Sequence, residues 1–318
     1  MSAVLGLDTS NYTTSAAIWD GGDVTQVKRL LPVRAGERGL RQSDAVFHHV
    51  RQLPELLEEL RRRSAAPLCG VAASDRPQQT EGSYMPCFLV GAGAARELAA
   101  AARLPLRFFT HQQGHVAAAL YGAGCLDWLD REFLAFHVSG GTTDALLVRP
   151  DAEGLPSCET AAHSLDLKAG QLIDRIGVLL GLPFPAGPAL EELAKEARGE
   201  YAPRPSMQGA DCHLSGVENQ CRAMLEKGEP PAEIALFCLR SVEAALRAMT
   251  RALLDRFPGR PLLYAGGVMS NRLIRAALET EFGGRFAPPA FSADNAAGIA
   301  VLGGRAFGKD TAKEDSRA

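Results

Sequence analysis

Residues 3–19 read AVLGLDTSNYTTSAAIW, and this stretch decides the fold. A short apolar run leads into a turn of Ser, Thr and Asn, and a second apolar run returns from it. That order predicts a β-hairpin. Residues 133–148, FLAFHVSGGTTDALLV, repeat the same sequence of apolar run, small polar turn and apolar return. The chain therefore carries the same hairpin signal twice.

Both turns fit the pattern S-x-x-T-T-x-A. It runs from Ser10 to Ala16 in the first turn and from Ser139 to Ala145 in the second. The recurrence predicts two related lobes, each opening with a hairpin whose tip exposes backbone N–H groups and hydroxyls to phosphate oxygens. Turns rich in Ser, Thr and Gly are common, so a chance match is the alternative interpretation.

Helix and strand patterns alternate between the two hairpins. Apolar residues at helical spacing predict a helix over 44–62, a buried strand follows at 69–73, and the run from 87 to 104 predicts an Ala-rich helix. This alternation indicates an α/β sheet.

The lobe boundary is expected in the Gly-containing stretch 122–130. We therefore assign 1–122 to a first lobe and 123–308 to a second lobe with a mostly helical insert at about 165–258. The charged tail 309–318 is expected to be disordered.

Composition narrows the class of protein. The 318 residues are 46% hydrophobic, which is enough for two cores, and a net charge of -3 is weak evidence against a stand-alone RNA binder. Seven cysteines form no C-x-x-C pair, which suits a reducing cytoplasm, where each can be a small buried apolar residue. With no basic leader and no apolar run of membrane-spanning length, we expect a cytoplasmic protein.

Residues 110–119, THQQGHVAAA, carry a metal-binding pattern. If they open a helix, His111 and His115 share one face and can bind a single cation, with a third ligand from elsewhere. Two partly exposed histidines on a surface helix are the alternative. No Glu follows His111, so the protease motif H-E-x-x-H and its general base are absent.

Two later segments are ambiguous when taken alone. Residues 261–271, PLLYAGGVMSN, predict a buried strand, two glycines that admit a phosphorylated ligand, and a helix capped by Ser270 or Asn271. Taken alone, A-G-G-V more often marks only a strand-to-helix turn. Asp294 precedes an Ala-rich helix, and on that segment alone it is an N-cap residue.

Six motifs occur in one order along nearly the whole chain. They are H-x-x-x-H at 111–115, V-S-G-G-x-T at 138–143, D-x-x-x-G-E-x-x-D-K at 166–175 with Gln and Arg in its E and K positions, L-L-G-L-x-[YF]-P-x-G-P at 179–188, A-G-G-V-x-x-N at 265–271 and [ST]-x-D-N-A-A at 292–297. In these motifs the chain resembles the tRNA threonylcarbamoyladenosine family, which comprises bacterial TsaD and its archaeal and eukaryotic relatives.

The resemblance implies a two-lobe α/β ATPase fold like that of actin and the heat-shock chaperones (the ASKHA fold), with a helical insert in the second lobe. It also implies a metal site in which Asp294 joins His111 and His115 around one iron or zinc ion. Two histidines and one aspartate leave coordination positions open for a ligand oxygen.

The resemblance further implies a site for an adenine nucleotide, either threonylcarbamoyl-adenylate or ATP. The residues carried over to that site are His137, Val138, Ser139, Gly140, Gly141, Asp174, Gly187, Glu191 and Asn271. The implied carboxylates accept hydrogen bonds from ribose hydroxyls, and the glycines admit the adenine. No catalytic residue is assigned.

The implied activity is an acyl-type transfer. Family members move the threonylcarbamoyl group from the adenylate to N6 of the adenosine beside the tRNA anticodon. The expected partners are tRNA and accessory proteins resembling TsaB and TsaE, and analogy with relatives suggests a homodimer through the helix at 44–62.

Departures from the family favour a second hypothesis. The family turn E-T-S-C-D-E-T has become DTSNYTT, with Tyr12 and Thr13 at acidic positions, Thr142 replaces a His, and Glu218 replaces a Lys that would suit a tRNA phosphate. These changes suggest a diverged nucleotide- and metal-binding relative, an ATPase or scaffold without tRNA-modifying activity. A peptidase is the third hypothesis, and no base and nucleophile constellation supports it.

Overall fold

The computed structural model describes residues 3–10, 12–32, 40–292 and 296–315, with side chains as far as 308. The strands are β1 (Ala3–Ser10), β2 (Thr13–Trp19), β3 (Val24–Leu30), β4 (Leu68–Arg76), β5 (Leu106–Thr110), β6 (Phe133–Val138), β7 (Thr143–Pro150), β8 (Pro156–His163), β9 (Ser206–Gln208), β10 (Asp211–His213), β11 (Leu262–Ala265) and β12 (Arg285–Phe286). The helices are α1 (Gln42–Arg63), α2 (Phe88–Ala102), α3 (His111–Gly122), α4 (Ala169–Leu179), α5 (Gly187–Ala194), α6 (Ser215–Glu226), α7 (Pro231–Arg256), α8 (Arg272–Phe282), α9 (Pro289–Ser292) and α10 (Ala297–Asp315). Across these ranges no helix is both long enough and apolar enough to span a bilayer.

Both predicted hairpins are confirmed. β1 pairs antiparallel with β2, so that Asp8 lies opposite Ser15. β6 pairs antiparallel with β7, so that Phe136 lies opposite Ala145. Each hairpin forms part of a five-stranded sheet.

The two sheets share one topology. The first has the order β3-β2-β1-β4-β5, with β4 parallel to β1 and β5 parallel to β4. The second has the order β8-β7-β6-β11-β12, with β11 parallel to β6 and β12 parallel to β11. In each sheet the first hairpin strand pairs with a later parallel strand, which in turn pairs with a second one, as expected of two related α/β lobes.

The chain divides into two compact units. Unit 1 comprises residues 1–131, 149–158 and 290–318, and unit 2 comprises 132–148 and 159–289. This division differs from the predicted one, in which a second lobe ran without interruption from 123 to 308. Residues 290–318 belong to unit 1 because α10 packs on the strands of its sheet.

Opposite faces of the first sheet are covered by different helices. Leu5 and Leu7 point into a cluster with Leu56 of α1 and Ala95 of α2. Gly6 points to the other face, where a Cβ atom would lie 2.5 Å from the backbone nitrogen of Ala300 in α10. Side chains alternate along a strand, so β1 is buried on both faces.

Unit 2 is built around α7, whose twelve buried residues include Ile234, Leu239 and Leu246. These side chains belong to one cluster with the strands β6, β7 and β11 and the helices α4, α5, α6 and α8. The region at 165–258 contains the four helices α4 to α7 and the two short strands β9 and β10. The backbone of α10 continues to Asp315, so much of the predicted tail is helical.

Candidate functional site

A cavity of about 510 Å³ lies in unit 2. It lies beyond the carboxyl ends of the adjacent parallel strands β6 and β11, the position at which α/β sheets commonly bind ligands. Its lining residues are Gly140, Gly170, Ile173, Asp174, Pro185, Gly187, Pro188, Glu191, Glu192, Gly267, Val268, Ser270, Asn271 and Arg272.

Five of the nine residues carried over for the nucleotide line this cavity. They are Gly140, Asp174, Gly187, Glu191 and Asn271. They come from the loop after β6, from α4, from α5 and from the residue preceding α8. The fold therefore gathers residues that lie more than 100 positions apart in the sequence.

The other four residues, His137, Val138, Ser139 and Gly141, are not among the lining residues. Val138 is fully buried in the core of unit 2. The backbone N–H of Ser139 donates to the carbonyl of Thr142, and the N–H of Gly141 donates to Ser139 Oγ at 3.3 Å, so these residues form the turn. In the described residues, direct contact with the cavity in this segment comes from Gly140.

Two glycines allow close backbone packing beside the cavity. A Cβ atom on Gly170 would lie 2.6 Å from the backbone of Ser139 and Gly140, so α4 can begin directly against the β6–β7 turn. Gly266 has φ of 103°, and a Cβ atom there would overlap the carbonyl oxygen of Val138. Only glycine allows this approach of β11 to β6.

The polar side chains of the cavity also hold its walls in place. Asp174 Oδ1 accepts the Ala186 N–H at 2.8 Å, and burial raises the pKa of the Asp174 carboxyl above its ordinary 3.8 despite this bond. Glu191 Oε1 accepts the Arg272 N–H at 3.2 Å. Asn271 Oδ1 accepts the Ile274 N–H at 3.1 Å, so Asn271 rather than Ser270 is the N-cap of α8.

Several lining residues were missed from the sequence. Ile173 and Val268 give the cavity apolar walls, and Arg272 lies at its rim with its side chain 82% exposed. Each is a direct neighbour of a motif residue, Ile173 next to Asp174 and Arg272 next to Asn271. Their position next to motif residues is the sequence signal that could have identified them.

The two histidines of the metal motif meet in unit 1. Thr110 caps α3 by accepting the Gln113 N–H, and the Gln113 side chain accepts the Thr110 N–H in return. This capping box makes His111 the first residue of the helix, and His115 follows one turn later. Their Nε2 atoms lie 2.8 Å apart.

A buried carboxylate that the sequence did not indicate orients this pair. His111 Nδ1 lies 3.0 Å from Asp8 Oδ1, which also accepts the Ser74 hydroxyl. A carboxylate only accepts, so Nδ1 carries the proton and the His111 Nε2 lone pair faces His115. Asp8 is 0% exposed, and its Oδ2 has no hydrogen-bond partner within the part of the chain that the structure describes. Such a carboxylate behind a histidine is typical of metal sites.

The third predicted ligand, Asp294, lies outside the described residues. Among the residues that are described, no three His, Cys, Asp or Glu side chains converge as a metal site. The helix that follows Asp294 packs tightly against α3, since a Cβ atom on Gly298 would overlap the carbonyl oxygen of Gly114. Gly114 lies between the two histidines. The histidine pair and Asp8 fit a cation site that needs one more ligand.

The hairpin tips differ from the expectation of exposed hydroxyls. Thr14 is fully buried, where its Oγ1 contacts His49 Nδ1 at 2.8 Å and donates to Gln52 Oε1. Thr143 is also fully buried, and its Oγ1 accepts the Ala169 N–H at the start of α4. At these two threonines the expectation is wrong, because both hydroxyls are buried and form hydrogen bonds with helices, Thr14 with α1 and Thr143 with α4.

The class of protein follows from the topology and the position of the cavity. Two sheets of identical order define the two-lobe actin-like ATPase fold that the sequence predicted, with a nucleotide-sized cavity beyond the strand ends of unit 2. A solved structure with a similar fold is full-length HypF in its phosphate- and nucleotide-bound form. Its TM-score is 0.60 at 14% identity, and the match covers 97% of this chain but 55% of HypF.

The sequence profile described as tRNA N6-adenosine threonylcarbamoyltransferase, TsaD, matches residues 35–301. The enzyme of that name from Bacillus licheniformis is 30% identical over 96% of this chain and 92% of its own length. The one from Granulibacter bethesdensis is 32% identical over 94% of this chain and 87% of its own length. The chain therefore belongs to the TsaD family of tRNA N6-adenosine threonylcarbamoyltransferases.

Proposed function

We propose that this protein transfers the threonylcarbamoyl group of threonylcarbamoyl-adenylate to N6 of the adenosine beside the anticodon in tRNA. The observation that carries the proposal is the convergence of Gly140, Asp174, Gly187, Glu191 and Asn271 on one cavity, in a chain of the TsaD family. In the transfer, a bond forms between N6 and the carbamoyl carbon. The bond from that carbon to the phosphate oxygen breaks, N6 loses a proton, and AMP leaves.

The cavity suits the nucleotide part of the donor. Its volume of about 510 Å³ lies within the usual range for small-molecule sites. Ile173 and Val268 supply apolar walls for a base, and Gly140 and Gly187 leave room beside it. Asp174 and Glu191 each use one carboxylate oxygen on a backbone N–H, which leaves their other oxygens for ribose hydroxyls.

The proposed metal ligands are His111, His115 and Asp294, with Asp8 as the residue that orients His111. The close packing of Gly298 on Gly114 supports Asp294 as the third ligand, since Gly298 follows Asp294 by four positions. The donor set accepts iron or zinc. When bound, such an ion would supply a Lewis acid for an anionic oxygen ligand. Asp8 and the helix cap at Thr110 keep the two imidazoles aligned for it.

Complementation tests the proposed activity. The chain is expressed in a cell depleted of its own transferase, together with compatible partners resembling TsaB and TsaE, and threonylcarbamoyladenosine in bulk tRNA is measured by mass spectrometry. We expect the modification to return with the wild-type chain and not with His111→Ala. Soluble wild-type protein that restores none would favour the diverged nucleotide-binding relative suggested by Tyr12, Thr13 and Thr142.

The remaining partner predictions belong to the same proposal. The complementation experiment, with its added partners, tests transfer to tRNA with accessory proteins. A mass measurement in solution tests assembly of two copies through α1. Phe47 and Val50 on α1 are both exposed, which supports a contact role for this helix.

A further inference from the structure

Glu218, where the family carries a lysine, is not a surface anion. Its side chain is 13% exposed and lies between two arginines. Glu218 Oε2 accepts from Arg175 Nη1 at 2.9 Å, and Oε1 accepts from Arg222 Nη2 at 2.8 Å. Burial raises the pKa of Glu218, but the bonds from Arg222 and Arg175 outweigh it and lower the pKa overall. The carboxylate is therefore an internal counter-ion.

The charge that this cluster presents to solvent is positive. The side chains of Arg175 and Arg222 are 56% and 50% exposed, and they carry two positive charges against the one negative charge of Glu218. Asp166, which contacts the start of α6, accepts the Leu214 N–H and the Ser215 hydroxyl. Each guanidinium has five N–H donors and uses one of them on Glu218, so both retain donors for an anion.

The arginine pair lies next to the proposed donor cavity. Arg175 directly follows Asp174 on α4, and the same helix contributes Gly170 and Ile173 to the lining. α6, which carries Glu218 and Arg222, packs against α4. An RNA whose adenosine reaches the cavity must bring its backbone close to this helix.

We propose that Arg175 and Arg222, held side by side by Glu218, bind the phosphate backbone of the acceptor RNA. The inference rests on the proposed function and adds a binding surface to it. Paired guanidinium forks match phosphate oxygens in geometry as well as in charge. The replacement of the family lysine by Glu218 thus fixes two cations in position instead of removing one.

Salt-dependent binding of unmodified tRNA to the full chain tests the surface. Arg175→Gln and Arg222→Gln should each weaken binding about threefold or more and lower the slope of log affinity against log salt by about 0.7–0.9. The double variant Arg175→Lys and Arg222→Lys should keep the slope of log affinity against log salt, since both positive charges remain. Arg251→Gln is the matched control, because Arg251 is also 56% exposed and bonded to a carboxylate, Glu281, but lies on α7 away from the cavity lining.

Glu218→Gln gives the sharpest result because the two interpretations predict opposite signs. Loss of a simple surface anion would strengthen RNA binding. If Glu218 instead holds the two arginines in position, Glu218→Gln should weaken RNA binding about threefold, because the guanidinium groups are no longer fixed. Thermal unfolding and nucleotide affinity are measured on every variant to confirm that the fold and the cavity are intact.

The outcomes separate this inference from the proposed function. Normal tRNA binding by Arg175→Gln and Arg222→Gln, or stronger binding by Glu218→Gln, would overturn the arginine surface alone. Loss of nucleotide affinity with unchanged tRNA affinity would assign the arginines to the donor's phosphate and also overturn it. A wild-type chain that binds nucleotide but no tRNA would overturn the proposed function together with this surface.

Discussion

The Nδ1 atom of His111 lies 3.0 Å from the Oδ1 atom of Asp8, a residue 103 positions earlier in the chain. The contact joins the first strand of the protein to the first turn of α3. It fixes the proton on Nδ1 and directs the Nε2 lone pair of His111 towards His115, 2.8 Å away. Asp8 thereby becomes a positioning residue for the proposed cation.

Asp8→Asn should weaken binding of zinc or ferrous iron about 10- to 100-fold, because the neutral amide no longer supports the imidazole as a charged acceptor. The measurement is a competition titration against a chelator of known affinity. Ser15→Ala is a control in the same hairpin, since the Ser15 hydroxyl bonds the backbone carbonyl of Asp8 and not its side chain. Equal metal affinity in Asp8→Asn and wild type would contradict this role.

Gly266→Ala should destabilise unit 2 by about 3 kcal/mol, since a Cβ atom meets the Val138 carbonyl and the backbone has φ of 103°. Gly267→Ala, one residue later, meets nothing within 4 Å and should leave the free energy of unfolding within about 0.5 kcal/mol of wild type. Urea denaturation compares the two variants. Similar losses in both would show that the β11–β6 approach is not the cause.

Asn271 caps the N-terminus of α8 and also lines the cavity, and two substitutions separate these two roles. Asn271→Ala should cost about 1 kcal/mol, because Ile274 loses its acceptor at the start of α8. Asn271→Asp keeps the cap and should keep stability, but it places a second carboxylate near Glu191 and should weaken adenylate binding. Calorimetric titration with a non-hydrolysable adenylate measures the second effect. Unchanged adenylate affinity in Asn271→Asp would remove Asn271 from the binding site.

Asp166 should make stability depend on acid pH. Burial raises its pKa, but hydrogen bonds from Ser215, Leu214 and Leu167 lower the pKa from 3.8 to about 2. Because the folded pKa is the lower one, the stabilisation is present above pH 3.8 and is lost as pH falls towards 2. Asp166→Asn should therefore lower the free energy of unfolding by about 1–2 kcal/mol at pH 7.

The effect of the same substitution should shrink as pH falls from 4 towards 2, because the unfolded chain is protonated there first and Asp166 in the folded chain becomes half protonated near pH 2. Urea denaturation of wild type and variant at pH 7, 4 and 2.5 tests this convergence. A difference that stayed constant across the three pH values would indicate lost packing rather than lost charge.

Local periodicity was enough to predict the elements but not which residues they bury. The helix predicted over 44–62 is α1 at Gln42–Arg63, yet Val50 is exposed and His49 is fully buried. His49 is buried because it contacts Thr14 of the first hairpin, and burial lowers the pKa of its imidazole to about 4. Hydrophobic spacing carries no information about such a polar partner on a distant strand.

The candidate sites show the same limit. Motif residues such as Asp174 and Gly187 were found because family motifs mark them, and five of the nine residues carried over converge on the cavity. Asp8 was missed because it ends an apolar strand run and its partner His111 is remote in sequence. The partners of Glu218 were also missed, since Arg222 lies one turn beyond its motif on α6 and Arg175 lies on α4.

The discontinuity of unit 1 bears on how the protein is made. α10 supplies Gly303, which packs against Val4 of β1 and Ala72 of β4, yet it is translated after the whole of unit 2. Unit 2 ends at residue 289 and is complete before then. The usual order, in which the N-terminal unit folds first during synthesis, is therefore reversed, and one face of the first sheet stays uncovered until α10 has followed unit 2 out of the ribosome.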